Sequence, residues 1–348
     1  MLERIDAPGH EEVWRLSAPK AGLSGFIALH STALGPAAGG LRMRPYDSAA
    51  EALEDALRLS RGMTYKNAAA GLPLGGGKAV IIGDPGRDKT PEMLRAFGRA
   101  VAALEGRYWT AEDMGMTPQD MRVIRGETDF VAGLDDGPFA SGDPSPVTAR
   151  GIFNAIRIGA KHRFGSDDLT GKRVIVQGLG HVGAHLCGLL HGAGARLWVA
   201  DLDRARVAEM VTRYGATGLE NDAVYGTEAD IFAPCAIGGI LNARTIPQLR
   251  VGLVAGGANN QLATEADADR LQARGILYTP DYVANGGGII NVATEILRIA
   301  DRGPWVADKL AALDRTMDMI LTRAARAGVS PAHVADSAVQ DLMAARAA

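Results

Sequence analysis

The spacing of apolar positions changes character near the middle of the chain. In the first part it is mostly helical. After Ser48-Ala-Ala-Glu51, which has the form of a capping box, Leu53, Ala56, Leu57, Ser60 and Met63 recur at three- and four-residue intervals. That pattern predicts a helix delivering Lys66 just past its C-terminal end. Pro91 to Leu104 reads as a second helix, with Pro91 suited to its first turn. Short strand signals fall at Gly25 to His30, Val80 to Ile82 and Tyr108 to Thr110, and a loop follows from Ala111. Two prolines, a glycine and small polar residues in Ser141-Gly-Asp-Pro-Ser-Pro146 mark a hinge, with a helix starting at Thr148.

Beyond the hinge the rhythm becomes regular. Strand-length apolar runs lie at Arg173–Gln177, Leu197–Ala200, Asp230–Ala233, Val251–Ala255 and Ile276–Tyr278, with helical or loop segments between them. Such alternation predicts a parallel sheet with both faces covered. The expected fold is α/β, with two domains separated by a cleft and the second a Rossmann-type doubly wound sheet. The expected boundaries are 1–142 and 143–323, with C-terminal helices over 324–348 packing back on the first domain.

Composition narrows the function classes. A chain of 348 residues can build two cores, and 47% hydrophobic with 22% charged residues is ordinary for a globular protein. A net charge of −3 provides no basic footprint, so no nucleic-acid partner is expected. No apolar stretch is of membrane-spanning length, and the charged N-terminus has no leader-like apolar segment. Cys187 and Cys235 are too few for a disulfide framework, which suits a reducing, cytoplasmic setting.

The most specific local signal is Val174-Ile-Val-Gln-Gly178-Leu-Gly180-His-Val-Gly183. A G-x-G-x-x-G run follows a strand directly and opens a helix. Gly178 would make the tight turn, Gly180 would admit a pyrophosphate, and Gly183 would let helix pack on strand. The turn through Leu179, His181 and Val182 then presents helix N–H groups to the anion. Asp201 ends the next strand, 18 residues after Gly183, where it can bond ribose hydroxyls and repel a 2′-phosphate. This favours NAD over NADP, with Arg204 and Arg206 nearby as the opposing feature. His181 and His185 have ligand spacing, but no further ligand completes a metal site, and none is expected.

A second signal lies in the first half. Lys66 and Lys78 bracket Asn-Ala-Ala-Ala-Gly-Leu-Pro-Leu-Gly-Gly-Gly, in which Asn67 is the sole polar side chain. Leu72 and Ala79 break the phosphate-loop pattern. Ammonium groups in apolar surroundings lose hydration, which lowers a lysine pKa towards the range of a working base. Glycines here would allow close approach of backbone and ligand. An acid in the following loop, Asp113, would stay ionised beside two cations and could exchange a proton with an amine. From spacing alone it could equally be a cap.

These segments, with others, resemble the glutamate/leucine/phenylalanine/valine dehydrogenases, most of all the leucine type. The matching segments are Gly35-Pro-Ala-Ala-Gly-Gly-Leu-Arg-Met43, Arg61-Gly-Met-Thr-Tyr-Lys-Asn67, Gly75-Gly-Gly-Lys78, Thr110-Ala-Glu-Asp-Met-Gly115 and Asp143-Pro-Ser-Pro-Val-Thr148. Ala258-Asn-Asn-Gln261 and Asp281-Tyr-Val-Ala-Asn285-Gly-Gly-Gly-Ile-Ile-Asn-Val292 extend the match to most of the chain. The resemblance implies that Gly39, Gly40 and Lys66 hold a substrate carboxylate. Lys78 would activate water and Asp113 would handle protons at the amino nitrogen. Thr148 and Asn259 would stand near the nicotinamide and Asn285 near the substrate. Cys235 and Ala236 would line the cofactor groove. The implied reaction is reversible NAD-dependent oxidative deamination of an apolar L-amino acid, and the large apolar helical faces favour a homo-oligomer.

Substrate choice rests on fewer residues. Glutamate enzymes carry a Lys just before the Gly-Gly pair and a Ser near the Asn-Gly-Gly end, whereas this chain has Ala38 and Val292. Met63, Ala111, Ile289 and Val292 would form an apolar pocket of the leucine type. Ala38 is smaller than the Leu usual there, which leaves phenylalanine as the alternative substrate. Arg150 replaces a usual Tyr without an obvious consequence. An NAD-binding sensor is the remaining alternative, and it would not need Lys66, Lys78 and Asp113 together.

Overall fold

The computed structural model describes residues 2–137 and 139–347. The chain groups into two compact units, one formed by 1–143, 289–306 and 342–348, the other by 144–288 and 307–341.

The first unit is built on a seven-stranded mixed sheet. Its strands are β1 (Leu2–Ile5), β2 (Glu12–Ala18), β3 (Leu23–Ser31), β4 (Ala37–Ala38), β5 (Leu41–Arg44), β6 (Gly75–Ile82) and β7 (Tyr108–Trp109). The order is β1-β2-β3-β6-β4-β7, with β5 also on β6. Strands β1, β2, β3 and β6 pair antiparallel, while β4 and β5 run parallel to β6 and β7 runs parallel to β4. Alternation along the strands divides the core. Ile27, Leu29, Ala79 and Ile81 pack with Met93, Leu94 and Phe97 of helix α2. Phe26, Ala28 and Val80 pack on the other face with Ala52 and Ala56 of helix α1. Helix α1 spans Ala49–Ala69, α2 Pro91–Ala102 and α3 Pro118–Arg125.

Three local expectations need correction. Helix α1 runs to Ala69, so Lys66 stands in its last turn rather than beyond it. The apolar Asn67-Ala-Ala stretch packs well enough to continue the helix, and Ala68 and Ala69 are buried. Ser48 does cap the helix, accepting from Glu51 N at 3.1 Å. Glu51, however, returns its carboxylate to Asp47 N at 2.8 Å rather than to Ser48 N. The strand expected at 80–82 begins five residues earlier, because Gly75, Gly76 and Gly77 are fully paired strand residues.

Those three glycines serve packing rather than ligand approach. A Cβ on Gly75 would lie 2.0 Å from Ser31 O, on Gly76 2.1 Å from Thr64 N, and on Gly77 2.7 Å from the Tyr108 ring. Helix α1 and strand β7 therefore sit against β6 at distances that no side chain allows.

The second unit holds a six-stranded, wholly parallel sheet. Its strands are β8 (Arg173–Gln177), β9 (Arg196–Ala200), β10 (Thr217–Gly218), β11 (Ile231–Pro234), β12 (Leu253–Val254) and β13 (Leu277–Tyr278). The order β10-β9-β8-β11-β12-β13 is the 3-2-1-4-5-6 winding of dinucleotide-binding sheets, with its switch point between β8 and β11. Successive residues feed opposite cores. Val174 and Val176 pack on one side, and Ile175 packs on the other. The helices are α4 (Ser145–Phe164), α5 (His181–Gly192), α6 (Arg204–Tyr214), α7 (Ala266–Ala273), α8 (Asp281–Ala284), α9 (Gly287–Ile296), α10 (Arg302–Ala327) and α11 (Pro331–Ala347). The boundary between the units falls within α9.

The segment 307–341, which includes most of the C-terminal stretch expected on the first domain, groups with the second unit. Leu310, Leu313, Met317, Ile320 and Leu321 bury one face of α10. Asp314 accepts from Asn154 at 2.9 Å, and Asp318 pairs with His162 at 2.8 Å, so α10 is fastened to α4.

Candidate active site

Strand β6 places Lys78 on the same sheet face as Gly76 and Val80, towards α1. Its side chain is 7% exposed, and its ammonium donates to Asp113 Oδ2. The same oxygen accepts from Arg42 Nε at 3.1 Å, and Arg42 Nη1 reaches Asp55 Oδ2 at 3.2 Å. Burial pulls the Lys78 pKa below the ordinary lysine value, Asp113 opposes the shift, and Arg42 adds to it. Burial acts to raise the Asp113 pKa, but Lys78 and Arg42 outweigh it and hold the carboxyl below its usual range. The sequence reading missed Arg42. Its signal was the alternation in Leu41-Arg-Met43, in which a lone cation stands between two core residues.

Asp113 comes this close because Gly40 has no side chain. A Cβ there would lie 2.8 Å from the Asp113 Cβ and 2.8 Å from Glu112 O. Gly39 is equally confined, since a Cβ would lie 1.9 Å from Gly77 O and 3.1 Å from Met63 Cγ. Tyr108 donates to Gly39 O at 2.7 Å, and Gly39 N donates to Trp109 O at 3.1 Å. Of the glycine pair, Gly40 thus has the N–H without a backbone partner among the described residues. Lys66 is half-buried at the end of α1. Asn67 next to it is structural, donating to Gly75 O at 2.5 Å.

The expected pocket residues divide by exposure. Ala38 is fully buried in β4. Met63, Ala111, Ile289 and Val292 keep partial exposure, and Ile289 and Val292 do so on a helix that is otherwise buried apart from Gly288.

In the second unit the glycine turn has the geometry that a dinucleotide needs. Gly178 takes φ 94°. A Cβ there would lie 2.7 Å from Ala236 N, and one on Gly183 would lie 1.9 Å from Gly178 O. At Gly180, by contrast, a Cβ would meet nothing nearer than Arg206 at 3.9 Å. Space is therefore open where a pyrophosphate would approach the α5 N-terminus, which no side chain caps. His181 and Val182 form the first turn of α5. Asp201 Oδ2 accepts from Leu179 N at 2.6 Å, which fixes the turn against the end of β9. Cys235 is held as a thiol, burial pushing its pKa up to about 11. Leu202 and Ile237, 89% and 69% exposed, follow Asp201 and Ala236 directly, and the sequence reading named neither.

Asn259 and Asn285 are brought together, Asn285 Nδ2 donating to Asn259 Oδ1 at 2.7 Å and to Gly257 O at 3.2 Å. Asn285 Oδ1 is buried and makes no hydrogen bond. Thr148 donates to Pro144 O at 2.9 Å, and a Cβ on Gly288 would lie 2.9 Å from the Thr148 hydroxyl.

A six-stranded dinucleotide sheet in one chain with a buried lysine–aspartate pair defines an oxidoreductase that works with a nicotinamide cofactor. Comparison with known proteins gives the family. Residues 10–130 match "Glu/Leu/Phe/Val dehydrogenase, dimerisation domain", and residues 198–345 match "Glutamate/Leucine/Phenylalanine/Valine dehydrogenase". The chain is 54% identical to leucine dehydrogenase of Geobacillus stearothermophilus over 85% of its length and 81% of that protein. It is 44% identical to phenylalanine dehydrogenase of Caldalkalibacillus thermarum over 97% of its length and 92% of that protein. The crystal structure of L-tryptophan dehydrogenase from Nostoc punctiforme superposes with a TM-score of 0.85 at 42% identity, covering 96% of each chain. The chain belongs to the glutamate/leucine/phenylalanine/valine dehydrogenase family and is an amino acid dehydrogenase.

Proposed function

We propose that the protein catalyses NAD-dependent oxidative deamination of leucine and similar branched apolar L-amino acids. The observation that carries the reading is the Lys78–Asp113–Arg42 cluster below the Gly39-Gly40 turn, with no cation at Ala38 to receive a second carboxylate. The Gly40 N–H and the Lys66 ammonium would hold the α-carboxylate. Asp113, ionised, takes a proton from the substrate ammonium so that its nitrogen can form an imine. When bound, the nicotinamide cofactor supplies the hydride acceptor for Cα. Lys78, with its pKa lowered, takes a proton from the water that adds to the imine carbon. Loss of ammonia leaves the 2-oxo acid. Low exposure strengthens each of these charge interactions.

Asp201 supports NAD as the preferred dinucleotide, and exposed Leu202 and Ile237 offer apolar surface for an adenine ring. The antiparallel part of the first sheet, whose strands β2 and β3 lie in the segment that matches a dimerisation domain, supports a homo-oligomer. The free thiols of Cys187 and Cys235 suit a reducing cytoplasm.

One observation favours a second reading, a phenylalanine dehydrogenase. Ala38 is small where a larger aliphatic residue is usual, which enlarges the pocket. A single assay separates the possibilities. The protein is mixed with NAD and, separately, leucine, valine, isoleucine, phenylalanine and glutamate, and NADH absorbance is followed. Leucine should rank first. A phenylalanine-first ranking supports the second reading, glutamate first refutes the Ala38 and Val292 argument, and NAD binding without turnover leaves the sensor.

A further inference from the structure

Helix α9 carries a buried carboxylate that the deamination chemistry does not use. Glu295 is 6% exposed. Its Oε2 accepts from Gly133 N at 3.0 Å and Leu134 N at 3.3 Å. Its Oε1 accepts from Ser141 N at 2.7 Å and from the Ser141 hydroxyl. Burying a carboxylate is costly, and four donors, three of them backbone, offset that cost. A carboxylate accepts through both of its oxygens, one for each segment, whereas an amide accepts through one oxygen and donates from the other end.

Both ends of this clamp lead to residues expected to line the apolar pocket for the substrate side chain. Val292 lies about one helical turn before Glu295 on α9, and Ile289 lies three residues before Val292. The segment held by Glu295 runs beside the Thr110–Ala111 segment that follows β7, with Thr110 N donating to Phe130 O at 3.0 Å and Ala132 N to Thr110 O at 2.8 Å. At Gly133 a Cβ would lie 3.9 Å from the Ala111 Cβ. Arg302 ties the other held segment to the helix, donating to Ser141 O at 3.0 Å and Asn291 Oδ1 at 3.1 Å. A continuous chain of hydrogen bonds thus joins the Val292 wall to the Ala111 wall.

We infer that Glu295 is a positioning residue for substrate specificity, setting the separation of the Ala111 and Val292 walls and hence the size of side chain admitted. This rests on the assignment of those walls to the substrate pocket.

The test is the ratio of kcat/KM for leucine to that for phenylalanine, measured in the wild type, Glu295→Gln and Ser141→Ala. Glutamine replaces one acceptor with a donor facing N–H groups, and Ser141→Ala removes one bond of the same clamp with little risk to folding. The ratio should change at least about fivefold in Glu295→Gln and in the same direction, by less, in Ser141→Ala, while the KM for NAD stays constant. Proportional loss on both substrates, with unchanged ratios in both variants, overturns the inference. Should Glu295→Gln fail to fold, the Ser141→Ala ratio decides. A wild type that oxidises only glutamate refutes the pocket assignment itself, a result distinct from an unchanged ratio.

Discussion

Lys78 and Arg42 converge on one oxygen, Asp113 Oδ2, so a half-buried carboxylate is shared between two cations, with Asp55 holding the other end of Arg42. The arrangement is asymmetric in its consequences. Arg42 stays charged, so its field presses on Lys78, the partner that can lose a proton. Asp113 opposes this, so burial and Arg42 pull the Lys78 pKa down while Asp113 pulls it up. A reversible reaction needs a lysine that works in both directions, and the opposed fields tune it for that.

The two lysines should therefore respond differently to truncation. Lys78→Ala should lower kcat by roughly 10²- to 10⁴-fold, the usual worth of a positioned acid/base group, with little change in the KM for leucine. Lys66→Ala should raise KM by about tenfold or more, as expected for loss of a charge-assisted bond to carboxylate, and affect kcat less. Steady-state kinetics on both variants checks this. If both lose kcat alike, the division of roles fails.

The pH profile gives a test with opposite signs. Lys78 works as a base in deamination, so the rate rises as pH climbs through its pKa, which lies below the ordinary lysine value. Arg42 lowers that pKa, so Arg42→Met should let it rise and move the ascending limb to higher pH. Asp113 raises it, so the residual activity of Asp113→Asn should ascend at lower pH. Limbs that move the same way in both variants would rule out Lys78 as the titrating group.

How much of this was legible in the sequence depended on how local the signal was. The parallel sheet, its glycine turn and Asp201 all lie within short segments whose pattern is set by their own geometry, and the five expected strands agree to within two residues, while two-residue β10 was not expected. For Arg42 the alternation with Leu41 and Met43 was a local signal, but its role was not legible, since that comes from β5 lying next to β6 and near Asp55 of α1. The short strands β4 and β5 were invisible for a related reason. Two to four residues carry no periodicity, and only pairing with β6 makes them strands. The glycine run before Lys78 was misread because a close approach of backbone to backbone looks in sequence like a close approach of backbone to ligand.

That distinction predicts stability. Gly76→Ala would put a Cβ 2.1 Å from Thr64 N and 2.5 Å from Ser60 O, backbone atoms that cannot swing away. The variant should lose ~3 kcal/mol or more, or fail to fold, as α1 is forced off β6. Gly62 in the same helix is the control, since a Cβ there meets nothing within 4 Å. Gly62→Ala should be neutral or gain up to ~1 kcal/mol from helix propensity. Thermal and urea unfolding of the two variants gives the comparison. Equal stability would show that the α1–β6 approach is looser than described.

The last prediction concerns the dinucleotide. Asp201 uses one lone pair of each oxygen on Leu179 N and Asp203 N, at 2.6 and 2.8 Å. Further lone pairs remain for ribose hydroxyls, and the full negative charge remains to repel a 2′-phosphate. Arg204 and Arg206 stand just beyond, the latter 3.5 Å from Asp203. Asp201→Ser keeps a short acceptor for the turn and removes the charge, which leaves the arginines to meet a phosphate. The kcat/KM with NAD should fall and that with NADP rise, changing their ratio by about tenfold or more. Kinetics with each dinucleotide at saturating leucine measures the ratio. An unchanged ratio with a lowered melting temperature would mean that Asp201 only braces the glycine turn, and that cofactor choice is made by other contacts.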